Sequence, residues 1–180
     1  MNLLAKIRRI NDLLQKRIEK HAPFMEMSML LSELTQSNIY MINSRGQLLG
    51  YFVKQQIEHD RMQQWLRKQR IQPLPFYQAS AQQDTYSERH NESEVYSELY
   101  KNKSAVVVPI IGGRERFGTI IMHRPNQPFC QDDIVLAESA STLLGLKLYR
   151  HKAKREEMET FRWNKAKKTI HTLTHSELTA

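Results

Sequence analysis

Apolar residues recur at helical spacing in two stretches at the start of the chain. Leucines and isoleucines fall every three or four positions in residues 2–20, which predicts an amphipathic helix with a broad apolar stripe. An isolated helix of this length is marginal in water. The stripe therefore requires a partner, either the rest of the domain or the same helix of a second copy. Residues 24–36 repeat the pattern and predict a second helix.

Short apolar runs then predict a β-hairpin and a further helix. Residues 38–42 and 48–53 flank a polar cluster in which Asn43 and Gly46 tolerate turn dihedrals, as in a hairpin. The periodic stretch 55–69 follows directly and predicts a helix.

The second half of the chain repeats the hairpin signal after a polar interval. Residues 71–103 are irregular and polar, which is typical of a binding loop or lid. The apolar runs 105–111 and 117–123 then surround Gly112 and Gly113, which predict the turn of a second hairpin.

A long helix is expected to end the chain. Asp132 and Asp133 suit the positive end of a helix and precede the periodic stretch 134–148, so helix capping explains both carboxylates. The helix is expected to continue towards His171 as a charged arm. Cys130, just before the acidic pair, is expected to be a buried loop residue.

These elements predict an α+β fold, an antiparallel sheet flanked by helices with a long C-terminal linker helix. The plan resembles that of GAF and PAS sensor domains. We expect residues 1–150 to form the sensing domain, including the N-terminal amphipathic helix, and residues 151–180 to form a basic linker helix.

Composition fits one cytoplasmic domain. The chain has 180 residues, of which 40% are hydrophobic and 26% charged, as in globular proteins. Cys130 is the only cysteine, which favours a reducing compartment. The N-terminus lacks the apolar core of a secretion signal, and no stretch is apolar enough for a membrane span. We therefore expect a cytoplasmic protein with no membrane partner.

The net charge of +8 is concentrated near the C-terminus. Residues 150–168 contain eight lysines and arginines against three glutamates. Such a segment attracts phosphates but offers no contacts to base edges. Charge alone therefore predicts weak binding to DNA at most.

Recognisable catalytic and metal motifs are lacking. The glycine-containing segment 109–118 lacks the lysine and the serine or threonine of a phosphate loop, so a hairpin turn explains its glycines better. Only His171 and His175 share a helical face, without cysteine or carboxylate support for a metal. No nucleophile, base and orienting group can be assembled. We expect neither an enzyme nor a metal site, and no cofactor.

Arg61 is the most informative polar residue, because it lies inside the apolar stripe of the helix predicted after the first hairpin. It stands four residues after Ile57 and four before Trp65. An arginine facing a core needs an anion. One interpretation is an internal partner such as Glu58 or a snorkelling guanidinium. The other is that Arg61 binds the carboxylate of a small ligand, with Met62 and Trp65 packing its apolar part.

Motifs spread over most of residues 2–150 resemble those of the CodY family, global transcriptional regulators of bacteria with an N-terminal GAF domain. The motifs are Ser37-Asn-Ile39, Arg45-Gly46, Leu48-Leu-Gly-Tyr51, Gln55-Gln-Ile-Glu-His-Asp-Arg-Met62, Pro109-Ile-Ile-Gly-Gly113, Glu115-Arg116, Gly118-Thr119, Phe129, Asp132-Asp133 and Leu136-Ala-Glu138. The resemblance implies a sensor of branched-chain amino acids, with GTP as a second effector in some members.

The resemblance also implies roles for individual residues. Arg61 would hold the amino acid's carboxylate, and Met62 would line the side-chain pocket. Trp65 stands where methionine is common, Ile71 stands where phenylalanine is common, and Tyr40 matches an aromatic pocket position.

Two departures from the family pattern define the alternatives. The family's Ala-Phe-Pro-Val-Glu stretch, which helps to cover the pocket, has no counterpart in residues 93–103. Trp65 fills more volume than methionine, so the ligand is smaller or the pocket is filled. The first reading is an effector-binding sensor of a repressor. The alternative is a ligand-free dimerisation module whose pocket Trp65 closes.

The resemblance places DNA binding in a C-terminal winged helix-turn-helix, and the reading helix of that domain is absent from this sequence. The expected explanations are the sensor half of a longer protein or a shortened gene product. DNA is therefore expected as a partner only through that absent domain. The other expected partners are a small-molecule effector and a second copy in a homodimer.

Overall fold

The structure is a computed structural model that describes residues 2–15, 24–55, 87–89, 104–124 and 127–177. Its elements are α1 (Leu3–Gln15), α2 (Phe24–Thr35), β1 (Asn38–Asn43), β2 (Leu48–Phe52), β3 (Ser87–Arg89), β4 (Ser104–Gly112), β5 (Glu115–Arg124) and α3 (Gln131–Glu177). The second helix, both hairpins, the long last helix and the α+β class are confirmed. The first helix, predicted over residues 2–20, is confirmed over Leu3–Gln15, and positions 16–20 lie outside the described residues. The predicted helix at 55–69 lies outside the described residues from position 56 onward.

The five described strands form one antiparallel sheet in the order β2-β1-β5-β4-β3. The two hairpins lie side by side, because β1 pairs with β5. The expectation of irregular structure across residues 71–103 is wrong at β3, where three residues pair with the outer edge of β4. Pairing with β4 satisfies backbone N–H and C=O groups that an open sheet edge would leave free. A strand of three residues is too short to show the alternation of apolar and polar residues by which strands are predicted from sequence.

The first turn follows its sequence signal. The side-chain oxygen Oδ1 of Asn43 accepts hydrogen bonds from the backbone N–H groups of Arg45 and Gln47, each at 2.9 Å. Gly46 has a φ of 74°, which a side chain would strain. Asn43 and Gly46 therefore set the register of β1 and β2.

The second turn is shifted by one residue from its prediction. Gly113 and Arg114, not Gly112 and Gly113, are the two central residues, with φ values of 57° and 67°. Positive φ at both positions is typical of a type I′ hairpin. Gly112 is the last residue of β4, and a Cβ there would overlap the carbonyl group of Gly145 in α3. Gly112 is thus required for close packing of the hairpin against the helix.

Helices α2 and α3 pack on one face of the sheet, called here the first face, and α1 packs against these two helices. Its core includes Ile39, Met41, Val106, Val108, Ile110, Ile120, Met122, Ile10, Met27, Leu31, Leu136, Ala140 and Leu144. In α1, Ile10 is fully buried, and Leu3, Ile7, Leu13 and Leu14 pack against the same core. The apolar stripe of α1 therefore packs against this chain's own domain.

The long helix α3 begins in the body and continues beyond it as an arm, defined here as residues 150–177. Every described side chain from position 154 to 167 is exposed. The prediction that the helix continues towards His171 is confirmed. Within the described residues, no helix is both long and apolar enough to cross a membrane.

Candidate functional site

The sheet has a second face, opposite the helices, that is also buried. Side chains alternate along a strand, so the residues between those of the first face point the other way. This second face consists of Asn38, Tyr40, Ile42, Ala105, Val107, Thr119, Ile121 and His123. None of these side chains is more than 8% exposed.

Tyr40 occupies the middle of the second face. It pairs with Ile121 on β5, which in turn pairs with Val107 on β4, so the three side chains form a row across the sheet. All three are exposed by 1% or less. The row is apolar apart from the phenol hydroxyl, and polar groups lie at its margins. Small-molecule sites in proteins have this composition, an apolar surface with a few polar groups that fix orientation.

The environment of Tyr40 keeps its phenol neutral. Burial raises the pKa of Tyr40 well above its ordinary value, and a hydrogen bond with the Asn38 side chain offsets this only in part. Tyr40 is therefore a neutral polar group on an otherwise apolar surface.

Asn38 fixes the backbone where the chain leaves the first hairpin. Its Oδ1 accepts hydrogen bonds from the N–H groups of Lys54 and Gln55, both at 2.8 Å, and its Nδ2 donates to the carbonyl oxygen of Gln55 at 3.2 Å. One buried side chain thus fixes the start of the segment in which sequence analysis places Arg61.

The structure places one of the five predicted site residues. Tyr40, predicted as an aromatic pocket position, lies on the buried second face. Arg61, Met62, Trp65 and Ile71 lie outside the described residues. Sequence analysis missed the other residues of the second face, although the alternation of side chains within β4 and β5 could have identified them once both faces of the sheet were known to be buried.

Arg124 is a further residue that sequence analysis missed. Its guanidinium donates hydrogen bonds to the carbonyl oxygen of Thr35 at 2.8 Å and to Oδ2 of Asp133 at 3.0 Å. It also bonds to the carbonyl oxygens of Gln127 and Pro128 and lies 4.4 Å from the ring centre of Phe129. Arg124 thereby joins the end of β5, the end of α2 and the start of α3.

The start of α3 partly confirms the capping prediction. Oδ2 of Asp133 accepts a hydrogen bond from the N–H of Cys130 at 3.1 Å, as in one half of a capping box. Asp132 is exposed and lies in the first turn. The expectation that Cys130 is buried is wrong, because its side chain points to solvent while its backbone serves the cap.

The described part of the chain offers no other arrangement for chemistry. It contains no group of three or more histidine, cysteine, aspartate or glutamate side chains placed to hold a metal ion. The side chains of His171 and His175 lie outside the description.

A groove of about 700 Å³ lies where the arm leaves the body. Its apolar floor consists of Phe117, Leu148 and Met158, and its walls include Arg155 and Arg162. The groove is open and basic, unlike the buried second face.

Comparison with known families and relatives agrees with the resemblance found in the sequence. The family model described as the CodY GAF-like domain matches residues 2–172. A global transcriptional regulator CodY from Exiguobacterium is 36% identical over 187 aligned positions, covering 100% of this chain and 72% of the relative. The CodY of a Bacillus thuringiensis strain matches with the same identity and coverage.

Solved structures agree on the fold. The cofactor-binding GAF domain of the nutrient sensor CodY from Clostridium difficile matches with a TM-score of 0.57 and 27% identity, covering 81% of this chain and 97% of that one. The GAF domain of a putative sensor histidine kinase from Pseudomonas syringae reaches a TM-score of 0.59 at 12% identity, covering 87% of this chain and 94% of that domain. The predicted GAF-like fold is confirmed.

Proposed function

This chain belongs to the CodY family, and from that premise we propose that it is the effector-sensing domain of a transcriptional repressor. The effector is a small amino acid, a branched-chain one by resemblance, with GTP as a further candidate. Binding modulates the affinity of the regulator for DNA. The domain carries out no catalysis and works in the cytoplasm.

The observation that carries this proposal is the burial of the second face. A sheet covered by helices on one side needs only one apolar face, yet Tyr40, Val107 and Ile121 are as deeply buried as the core residues opposite them. A surface of this kind supports a ligand pocket, in which the sheet forms the floor.

The remaining pocket groups are proposed to come from the segment after Gln55. Arg61 binds the ligand's carboxylate bidentately, Met62 and Ile71 contact its apolar side chain, and Trp65 limits its size. Supporting this, the hydrogen bonds of Asn38 fix the chain immediately before the segment begins. A neutral phenol on the floor, Tyr40, leaves the ligand's carboxylate to Arg61.

The proposed output is a change in the arrangement of the two arms of a homodimer. The ligand draws the residues of 71–103 that flank β3 over Arg61, which favours one spacing of the DNA-binding domains. Specific DNA recognition is proposed to require a winged helix-turn-helix beyond this sequence. The anchor of Arg124 on Asp133 supports such transmission, because it ties the sheet directly to the first turn of α3.

Calorimetric titration with leucine, isoleucine and valine tests this function. We expect at least one of them to bind, and Arg61→Ala to weaken its binding by about 10- to 100-fold, since a hydrogen bond to a charged group contributes about 1.5–3 kcal/mol. Arg67→Ala, an arginine substitution in the same sequence segment but outside the predicted stripe, is the matched control and should bind like the wild type. Unchanged binding in Arg61→Ala would overturn the assigned role of this residue.

The rival function is a dimerisation module whose pocket Trp65 fills. The observation that favours it is the exposure of Phe161 and Trp163 on the arm, 69% and 71%. The rival predicts a stable dimer by light scattering and no thermal shift of the wild type with any of the three amino acids. Trp65→Met distinguishes the two functions, because under the rival only this variant gains binding.

A further inference from the structure

The arm carries a basic face that amino-acid sensing does not use. At 3.6 residues per turn, five cations project from one side of α3 over about 22 Å. They are Arg150, Lys154, Arg155, Arg162 and Lys165. All five are exposed, and the glutamates of residues 156–159 lie at the borders of this side or opposite it.

Within the part of the chain that the structure describes, most of this charge is not neutralised. Lys152, outside the basic face, is paired with Glu115 of β5 at 2.6 Å. On the basic face, Arg155 approaches Glu159 at 3.8 Å, while among the described residues no carboxylate forms an ion pair with the other four cations.

The cations also repel one another. Arg150 and Lys154 are four residues apart, and Arg162 and Lys165 are three apart, so each pair lies on neighbouring turns. Like charges at these spacings destabilise a helix. A helix that accumulates like charges on one side, where a single carboxylate pairs with them among the described residues, is suited to an external polyanion.

We propose that the basic face binds the phosphate backbone of duplex DNA without regard to base sequence. DNA carries one negative charge per about 1.7 Å of its axis, so a basic face of this length can contact several phosphates at once. The family consists of transcriptional regulators, which brings DNA close to the arm. This contact would add affinity for DNA to the specific recognition by another domain. It does not depend on an amino-acid ligand.

Two other occupants fit the basic face less well. A second copy related by two-fold symmetry would place the same cations against each other. An anionic membrane needs a continuous apolar face, whereas only Met158 and Phe161 are large apolar residues among these cations.

Fluorescence anisotropy with a short DNA duplex of arbitrary sequence tests the proposal on the full 180-residue chain. The test variant combines Arg155→Gln, Arg162→Gln and Lys165→Gln. Each lost phosphate contact lowers the slope of log affinity against log salt by about 0.9, so the slope should fall by about 2.7. At about 50 mM salt, the affinity should fall by at least about 10-fold.

A matched control removes three exposed cations outside the basic face. It combines Arg8→Gln, Arg45→Gln and Lys167→Gln, and its salt slope should change by less than about one. Arg162→Lys keeps the charge and should retain the binding of the wild type. Circular dichroism checks that all variants keep their helix content.

Several results would overturn the proposal. These are no binding of wild type at about 50 mM salt, an equal loss in the test and control variants, or stronger binding to phosphatidylserine vesicles than to DNA. Loss of a dimer by the test variant alone, with unchanged DNA binding, would assign the face to a second copy instead. Since DNA is titrated without amino acid, failure here leaves the sensor function intact.

Discussion

Arg124 is the residue on which three elements of the body converge. Its guanidinium is buried and bonds to Thr35 at the end of α2 and to Asp133 at the start of α3. The ion pair is almost fully shielded, with side-chain exposures of 9% and 7%. Removing one partner of a buried pair leaves the other charge without compensation, which is far more costly than losing an exposed pair.

We therefore predict that Arg124→Ala lowers the free energy of unfolding by about 3–5 kcal/mol. Urea denaturation measures this, with Arg45→Ala as a control, because Arg45 is an exposed arginine in the first turn. Arg124→Lys should recover only part of the loss, since an ammonium cannot serve the carboxylate and several carbonyl groups in the geometry of a guanidinium. Equal stability of the alanine variant and the control would show that the anchor contributes nothing.

At the scale of elements, the crossing of α3 over the second hairpin depends on two glycines. A Cβ on Gly145 would overlap the carbonyl group of Ile111, and a Cβ on Gly112 would overlap that of Gly145. The backbones of helix and strand are therefore in direct contact. Ser141 strengthens the crossing with a buried hydrogen bond to the carbonyl oxygen of Pro109.

Gly145→Ala distinguishes close packing from helix propensity by the sign of its effect. In an exposed helix, alanine is more favourable than glycine by about 1 kcal/mol. Because the added methyl group would push α3 away from β4, we expect a net destabilisation of about 1–3 kcal/mol in thermal or urea unfolding. Thr142→Ala, on the exposed side of the same helix, is the control and should not destabilise. A stabilised Gly145→Ala variant would contradict the close crossing.

Elements with strong local signals could be predicted from the sequence. The periodicity of α1 and α2, the Asn43 turn and the apolar runs of β4 and β5 each depend on residues close together in the chain. The shift of the second turn was not predictable in this way, because the role of Gly112 depends on Gly145 in another element. For the same reason Arg124 looked like an ordinary strand-end arginine, although its partners come from α2 and α3.

The site residues named from the sequence remain predictions. Arg61 was predicted from its position within an apolar helical stripe, and Tyr40 from the resemblance to the family. The structure places Tyr40 on the buried second face. The companions of Tyr40 across the sheet, Val107 and Ile121, depend on the pairing of β1 with β5, which no local pattern specifies.

In the molecule as a whole, α3 joins the proposed sensing domain to the proposed output arm. The N-terminal part of α3 packs in the first-face core through Leu136 and Leu144, while its exposed arm carries charge away from the body. A ligand on the second face would act on α3 only through the sheet, and the Arg124 anchor is a direct connection between the two. The basic face proposed to bind DNA lies on this arm.

The effector is proposed to bind on the second face of the sheet. Methyl-resolved NMR of the wild type, titrated with isoleucine, tests it most directly, because each face carries its own methyl probes. We predict that the methyl resonances of Ile42, Val107 and Ile121 shift strongly, while those of Ile120 and Met122 on the first face shift far less. Shifts confined to the first face or the arm, or no shifts at saturating isoleucine, leucine and valine, would contradict the account.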